Sequence, residues 1–132
     1  MSQENVEIVR QYFALASEGE WDAARALMAA DVEWIVGREH PETRTLVGHD
    51  AVRDYRLEWE RIVPDVRFEL ERVLDHGEEV VGIGSVSGTG TGSGAKVRVP
   101  LAFVFGFRDG LIARSEEYLT HAEALKAVGL EE

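Results

Sequence analysis

One acid in this chain stands where strand geometry could make it chemical. Glu117 lies in Ala113-Arg114-Ser115-Glu116-Glu117-Tyr118-Leu119. Strand alternation puts it on one face with Ala113, Ser115 and Leu119, and sends Arg114, Glu116 and Tyr118 to the other. The first face is the less polar. Burial among such neighbours favours the protonated acid, which suits a general base. The competing expectation is a solvated or ion-paired strand residue, because charged side chains are mostly exposed. His40, in Arg38-Glu39-His40-Pro41, is on a loop after the first strand, where a neutral imidazole could take a proton or hydrogen-bond a ligand. An exposed loop histidine is the plainer reading. Trp34 shares strand parity with Val32 and Val36, and its indole would make a flat wall for a planar or polycyclic ligand, or simply part of the core.

Other chemistries find no support. No two histidines stand at i, i+4 and no clustered Asp pattern occurs, so neither a metal site nor a cofactor is expected. The run Gly88-Thr89-Gly90-Thr91-Gly92-Ser93-Gly94 lacks the Lys-Ser/Thr of a phosphate loop and leads into a strand instead of a helix, so it reads as a flexible hairpin turn.

The elements that must position these residues can be read from periodicity. Residues 3–18 predict a helix, with Val6, Val9, Phe13 and Ala16 on one stripe, Ile8, Tyr12 and Leu15 beside it, and Gly19 at its end. A short helix is expected over 21–29, a strand over 32–36 and a polar loop over 37–47. A third helix over 50–62 has Val52, Tyr55, Trp59 and Ile62 on one face, a spacing that assigns Tyr55 and Trp59 to the core. The period then changes to two. Strands are expected over 66–71, 80–86, 96–107 and 111–119, with a tight Arg108-Asp109-Gly110 hairpin and a short terminal helix over 122–128. Pro100 would mark a bulge. Helices grouped before a run of strands give an α+β class and an antiparallel meander. Leu101, Phe103, Phe105 and Phe107 face one way and Ala102, Val104 and Gly106 the other. Both faces are apolar, so helices should cover one, and a partner subunit is expected on the other.

Composition bounds the rest. The chain has 132 residues, no cysteine and a net charge of −11. That is one domain with one core, residues 1–132. Thiol chemistry is excluded, and the acidity argues against a nucleic-acid partner. No apolar run approaches the roughly 20 residues of a membrane span, and the acidic opening segment is no signal peptide, so no membrane association and a cytoplasmic location are expected. Arginine supplies 12 of the 14 basic residues, which points to a bacterial source.

The segments Val9-Arg10-Gln11-Tyr12-Phe13, Ser17-Glu18-Gly19-Glu20-Trp21-Asp22 and Leu27-Met28-Ala29-Ala30-Asp31-Val32-Glu33-Trp34 resemble the SnoaL-like branch of the nuclear transport factor 2-like superfamily. Gly48-His49-Asp50-Ala51-Val52-Arg53, Phe107-Arg108-Asp109-Gly110-Leu111-Ile112 and Glu117-Tyr118-Leu119 extend the likeness over nearly the whole chain. The resemblance implies a cone in which a curved antiparallel sheet wraps the N-terminal helices around one central pocket. The loop after the first strand would rim that pocket, and members commonly form homodimers through the sheet. The superfamily holds isomerases, cyclases, hydrolases and non-catalytic domains, so the fold alone cannot choose.

The catalytic sets can be checked position by position. Ketosteroid isomerase-type proton transfer needs a strand carboxylate and a protonated Asp donor. Here those places hold Val36 and Phe103, although Tyr12 matches the tyrosine donor and could still hydrogen-bond a ligand carbonyl. Limonene epoxide hydrolase-type chemistry needs an Asp-Arg-Asp set. Glu117 matches one acid, but Gly84 and Val86 stand at the other two places. The SnoaL cyclase pattern leaves Glu117 as base. The resemblance thus implies a protein that binds a small apolar or polycyclic molecule, its pocket lined by Tyr12, Trp34, Val36, Trp59, Phe103, Ser115 and Glu117. The alternatives are an isomerase-, cyclase- or epoxide hydrolase-type enzyme using Glu117, Tyr12 and His40, and a non-catalytic dimeric interaction domain whose pocket is filled by its own side chains.

Overall fold

The computed structural model describes residues 2–36, 44–89 and 94–129. Two helices, α1 (Ser2–Ser17) and α2 (Trp21–Arg25), precede β1 (Met28–Val36) and β2 (Arg44–Val47). The helix α3 (His49–Ile62) follows, then β3 (Arg67–His76), β4 (Glu79–Thr89), β5 (Lys96–Arg108), β6 (Leu111–Tyr118) and the terminal α4 (His121–Ala127). The strands form a curved, unclosed sheet in the order β2-β1-β6-β5-β4-β3, with the N-terminal helices against it. This is the α+β architecture that the sequence predicts.

The last four strands are the expected antiparallel meander. The sheet is nonetheless mixed, because β1 joins it parallel to β6 (Trp34 opposite Ser115). Parallel neighbours need a long connection, and here most of the chain supplies it. Two local expectations also shift. The second helix ends at Arg25 instead of 29, and Met28 opens β1 opposite Ile112; sheet pairing there, with the backbone bond from Ile112 N–H to the Leu27 carbonyl (2.8 Å), prevails over the strong helix preference of Ala26-Leu27-Met28-Ala29. The polar loop over 37–47 ends in a four-residue strand, β2, which turns only Leu46 inward. Gly48, at φ +91°, ends that strand, donates its N–H to the Val32 carbonyl and opens α3. Pro100 causes no bulge: it pairs in register with Ser85, beyond the point where β6 joins β5. The β5–β6 irregularity falls at Gly106/Phe107, and β3 bulges against β4 at Leu70/Arg72.

Alternation along β5 divides the core as expected. Leu101, Phe103 and Phe105 point into the concave face with Val9, Tyr12, Phe13 and Ala16 of α1 and Val32, Trp34 and Val36 of β1. Ala102 and Val104 point the other way with Val81, Ile83 and Tyr118, under Ala124 and Leu125 of α4. The chain's own terminal helix thus lies over these residues, on the face where a second subunit is expected. Thr120 caps that helix, its hydroxyl accepting the Glu123 N–H.

Candidate functional site

On the concave face, β6 turns Ser115 and Glu117 inward, opposite Phe105 and Phe103 of β5. Glu117 is 6% exposed, so the solvated alternative fails and the ion-paired one holds; parity places Glu117 on the concave face, but Glu116 on the other face is buried as well. Beside β6, β1 places Trp34, fully buried. From the helical side, α1 presents Tyr12, whose ring centroid is 5.4 Å from that of Trp34. Phe13, Phe103 and Phe105 close the wall, with Phe103 and Phe105 stacked at 5.4 Å.

The sequence reading missed the residue at the centre. Arg56 of α3 is 2% exposed, and its Nη2 donates to Glu117 Oε1 at 2.5 Å. The guanidinium carbon is 5.0–5.6 Å from the ring centroids of Phe68, Trp34, Tyr55 and Phe103. A cation at such distances gains from the negative faces of the rings. Trp34 Nε1 also donates to Glu117 Oε1 (2.8 Å), and the Tyr55 hydroxyl donates to Oε2 (3.2 Å). Glu117 is thus not an acid without partners: three donors from two elements hold it. A signal for Arg56 was present. It follows Val52 by four positions and precedes Trp59 by three, so it lies in the apolar arc of α3, where a charge calls for a buried counter-charge.

Three polar atoms of this centre have no hydrogen-bond partner among the described residues: the Tyr12 hydroxyl, Arg56 Nε and Ser115 Oγ. All three belong to side chains that are 2% exposed or less. Tyr12 and Arg56 are close enough to influence each other's charge. Burial raises the Tyr12 pKa above its ordinary value, an effect that Arg56 partly offsets and Glu117 reinforces. Tyr55 is pushed up to about 12, by burial first and by the Glu117 carboxylate second. Burial works most strongly against the Arg56 charge, but Glu117, Tyr12 and Tyr55 together outweigh it and hold the guanidinium protonated. The site therefore keeps two neutral phenols and one fixed cation.

This has a consequence at alkaline pH. Unfolded tyrosines titrate at the reference value of 10.0, whereas Tyr55 holds its proton to about 12. Between those values the folded chain binds more protons than the unfolded one, so stability falls as pH rises through the window. Urea midpoints measured on either side of it should drop toward the alkaline end. Constant midpoints would contradict the burial of these phenols.

The other expected site residues are placed as follows. Val36 is buried at the end of β1. Trp59 is half-buried on α3, one turn beyond Tyr55 and beside its hydroxyl, and is not among the rings around Arg56. His40 lies outside the described residues. His49 serves structure, its Nε2 being 3.0 Å from the Met28 carbonyl oxygen. Among the described residues no group of three or more His, Asp or Glu could hold a metal, and no helix is long and apolar enough to cross a membrane. Gly84, at the place of the arginine in the epoxide hydrolase pattern, could carry no side chain: a Cβ there would stand 1.8 Å from the Glu69 carbonyl oxygen.

The family model of the SnoaL-like domain matches residues 9–115. Among solved structures, Bal32a from a soil-derived mobile gene cassette is similar at TM-score 0.81 and 19% identity, over 96% of this chain and 97% of that one. A putative SnoaL-like polyketide cyclase from Jannaschia sp. CCS1 is similar at 0.77 and 21%, over 98% and 94%. TerC co-crystallised with polyporic acid is similar at 0.76 and 17%, over 95% and 98%. At these identities the likeness is one of fold. No curated protein matches the sequence.

Proposed function

The chain belongs to the SnoaL-like domain family, and from that premise we propose that it binds a small, largely apolar, planar or polycyclic molecule against the Tyr12, Trp34 and Phe103 rings. The observation that carries this reading is the set of unpartnered buried polar atoms on Tyr12, Arg56 and Ser115. Buried polar atoms are nearly always paired, and each one left bare costs about 1–3 kcal/mol. Three such atoms at an aromatic-walled centre suit a ligand that is flat, mostly apolar and carries a few oxygens. The co-crystallisation of TerC with polyporic acid supports the capacity of this fold to take such a molecule.

Glu117 also supports a second, catalytic reading, as general base of an isomerase-, cyclase- or epoxide hydrolase-type reaction. It is buried, and Tyr12 stands near enough to polarise a ligand carbonyl while staying protonated. The three donors already on its carboxylate favour an anchoring role over a basic one. A third reading, an interaction domain whose pocket is filled by its own side chains, draws on the Arg56 side chain among the rings. A homodimer through the sheet and a cytoplasmic location complete the proposal.

Mass spectrometry of the protein under native and then denaturing conditions should release a co-purifying small molecule. Polyporic acid added to the emptied protein should quench tryptophan fluorescence saturably, and Trp34→Phe should remove most of the quench. Absence of any co-purifying molecule together with absence of saturable quenching would favour the interaction-domain reading. If a substrate is found, unchanged turnover in Glu117→Gln would remove the catalytic one.

A further inference from the structure

The polar atoms of the centre can be counted by what each still offers. A guanidinium presents two parallel N–H bonds along its Nε–Nη2 edge, a fork suited to two acceptor oxygens. Arg56 uses only half of that edge: Nη2 is bonded to Glu117 Oε1, and Nε is without a partner among the described residues. The Tyr12 hydroxyl is a second unused donor, and burial keeps it protonated. A carboxylate has about four acceptor positions. Among the described residues Trp34, Arg56 and Tyr55 fill three of them, two on Oε1 and one on Oε2, which leaves one. Beside the Ser115 hydroxyl, which can donate or accept, two spare donors and one spare acceptor therefore remain on α1, α3 and β6.

That combination selects among oxygens. A ketone or ether oxygen accepts only, and would leave the last Glu117 position unused. A carboxylate would accept both donors but would bring a second negative charge against Glu117 in a buried setting, where like charges repel strongly. A hydroxyl satisfies all three, accepting from Arg56 Nε–H and Tyr12 O–H while donating its own proton to Glu117. The planar walls of Trp34 and Phe103 favour a hydroxyl on an unsaturated ring. We propose that the ligand is recognised through a phenolic or enolic hydroxyl held between Arg56, Tyr12 and Glu117. This inference rests on the ligand-binding reading above.

The test is a series on one skeleton, read by fluorescence quenching and by calorimetry with the wild-type chain: naphthol, its methyl ether and naphthoic acid at neutral pH. Naphthol should bind about tenfold or more tightly than the ether, as the loss of a hydrogen bond to a charged group requires, and the naphthoate should bind no better than the ether. In Tyr12→Phe the advantage of naphthol over the ether should shrink several-fold. Its folding, checked by thermal unfolding, should be intact, because the hydroxyl removed has no hydrogen-bond partner among the described residues. Equal affinity for naphthol and its ether would overturn the hydroxyl assignment, and tightest binding of the naphthoate would overturn it in favour of an anion site. If polyporic acid binds and none of the three naphthalenes does, this inference fails and the ligand-binding reading stands. If nothing binds, both fail.

Discussion

Arg56→Met should lower folding stability by about 3–5 kcal/mol, although methionine preserves much of the side-chain volume. The loss comes from Glu117. With its counter-charge gone, a carboxylate that is 6% exposed stays in the core with, among the described residues, only the Trp34 and Tyr55 donors. The matching double variant, Arg56→Met with Glu117→Leu, should regain most of the loss, because apolar replacement of a whole buried ion pair is often neutral or stabilising. Chemical denaturation of the four proteins in this cycle gives the coupling directly. A single-variant cost below about 1 kcal/mol would mean that the pair behaves as an exposed one, and that the centre is wetter than the burial of both groups implies.

Gly84→Ala is expected to be about as damaging, at roughly 3 kcal/mol or more, the upper end for overpacking. The new methyl carbon would stand 1.8 Å from the Glu69 carbonyl oxygen and 2.9 Å from its carbonyl carbon, both backbone atoms that no rotamer change can move. The close approach occurs where β3 bulges against β4, between Leu70 and Arg72. The His121 ring adds to the constraint, its Nε2 lying 2.8 Å from the Gly84 carbonyl oxygen. Gly82→Ala, two positions away on the same face, is the control. Its nearest neighbours are the tips of the Phe13, Leu70 and Phe105 side chains at 3.3–3.5 Å, which can yield by a few tenths of an ångström. Equal midpoints for the two variants would refute the account.

These results explain which parts of the molecule could be read before it was folded. Glu117 and Trp34 were legible because strand alternation is local: two residues' spacing fixes a shared face. The split of β5 into Phe103/Phe105 and Ala102/Val104 faces was legible for the same reason. Arg56 was passed over because its neighbours Asp54, Arg53 and Glu58 are charged and exposed, and a helix reads as amphipathic whether or not one arginine turns inward. Only the counting of positions from Val52 and Trp59 marks it. The parallel union of β1 with β6 leaves no trace in either segment, since it depends on what the intervening chain brings together. The short β2 is similar, because one inward leucine in four residues carries no period. The partner expected over Ala102 and Val104 followed from a sound rule, that an apolar face must be covered. What the local pattern could not say is that the seven residues of α4 also pack on this face.

The pairing of β1 with β6 also bears on how the chain comes to be folded. Trp34 and Glu117, which share a hydrogen bond, are 83 positions apart. Bringing such distant segments together exacts its entropy before any contact repays it, which places a fold of this kind among those that assemble over milliseconds to seconds. On the ribosome the difficulty is sharper. The buried positions of β1 and the Arg56 guanidinium emerge well before β6, and until it arrives β1 has only the four-residue β2 as a neighbour and the guanidinium has no Glu117 carboxylate to meet. A nascent chain halted short of β6 should therefore be the species that chaperones hold and proteases clear, and completion of the sheet and of the site becomes one event, deferred until β6 emerges.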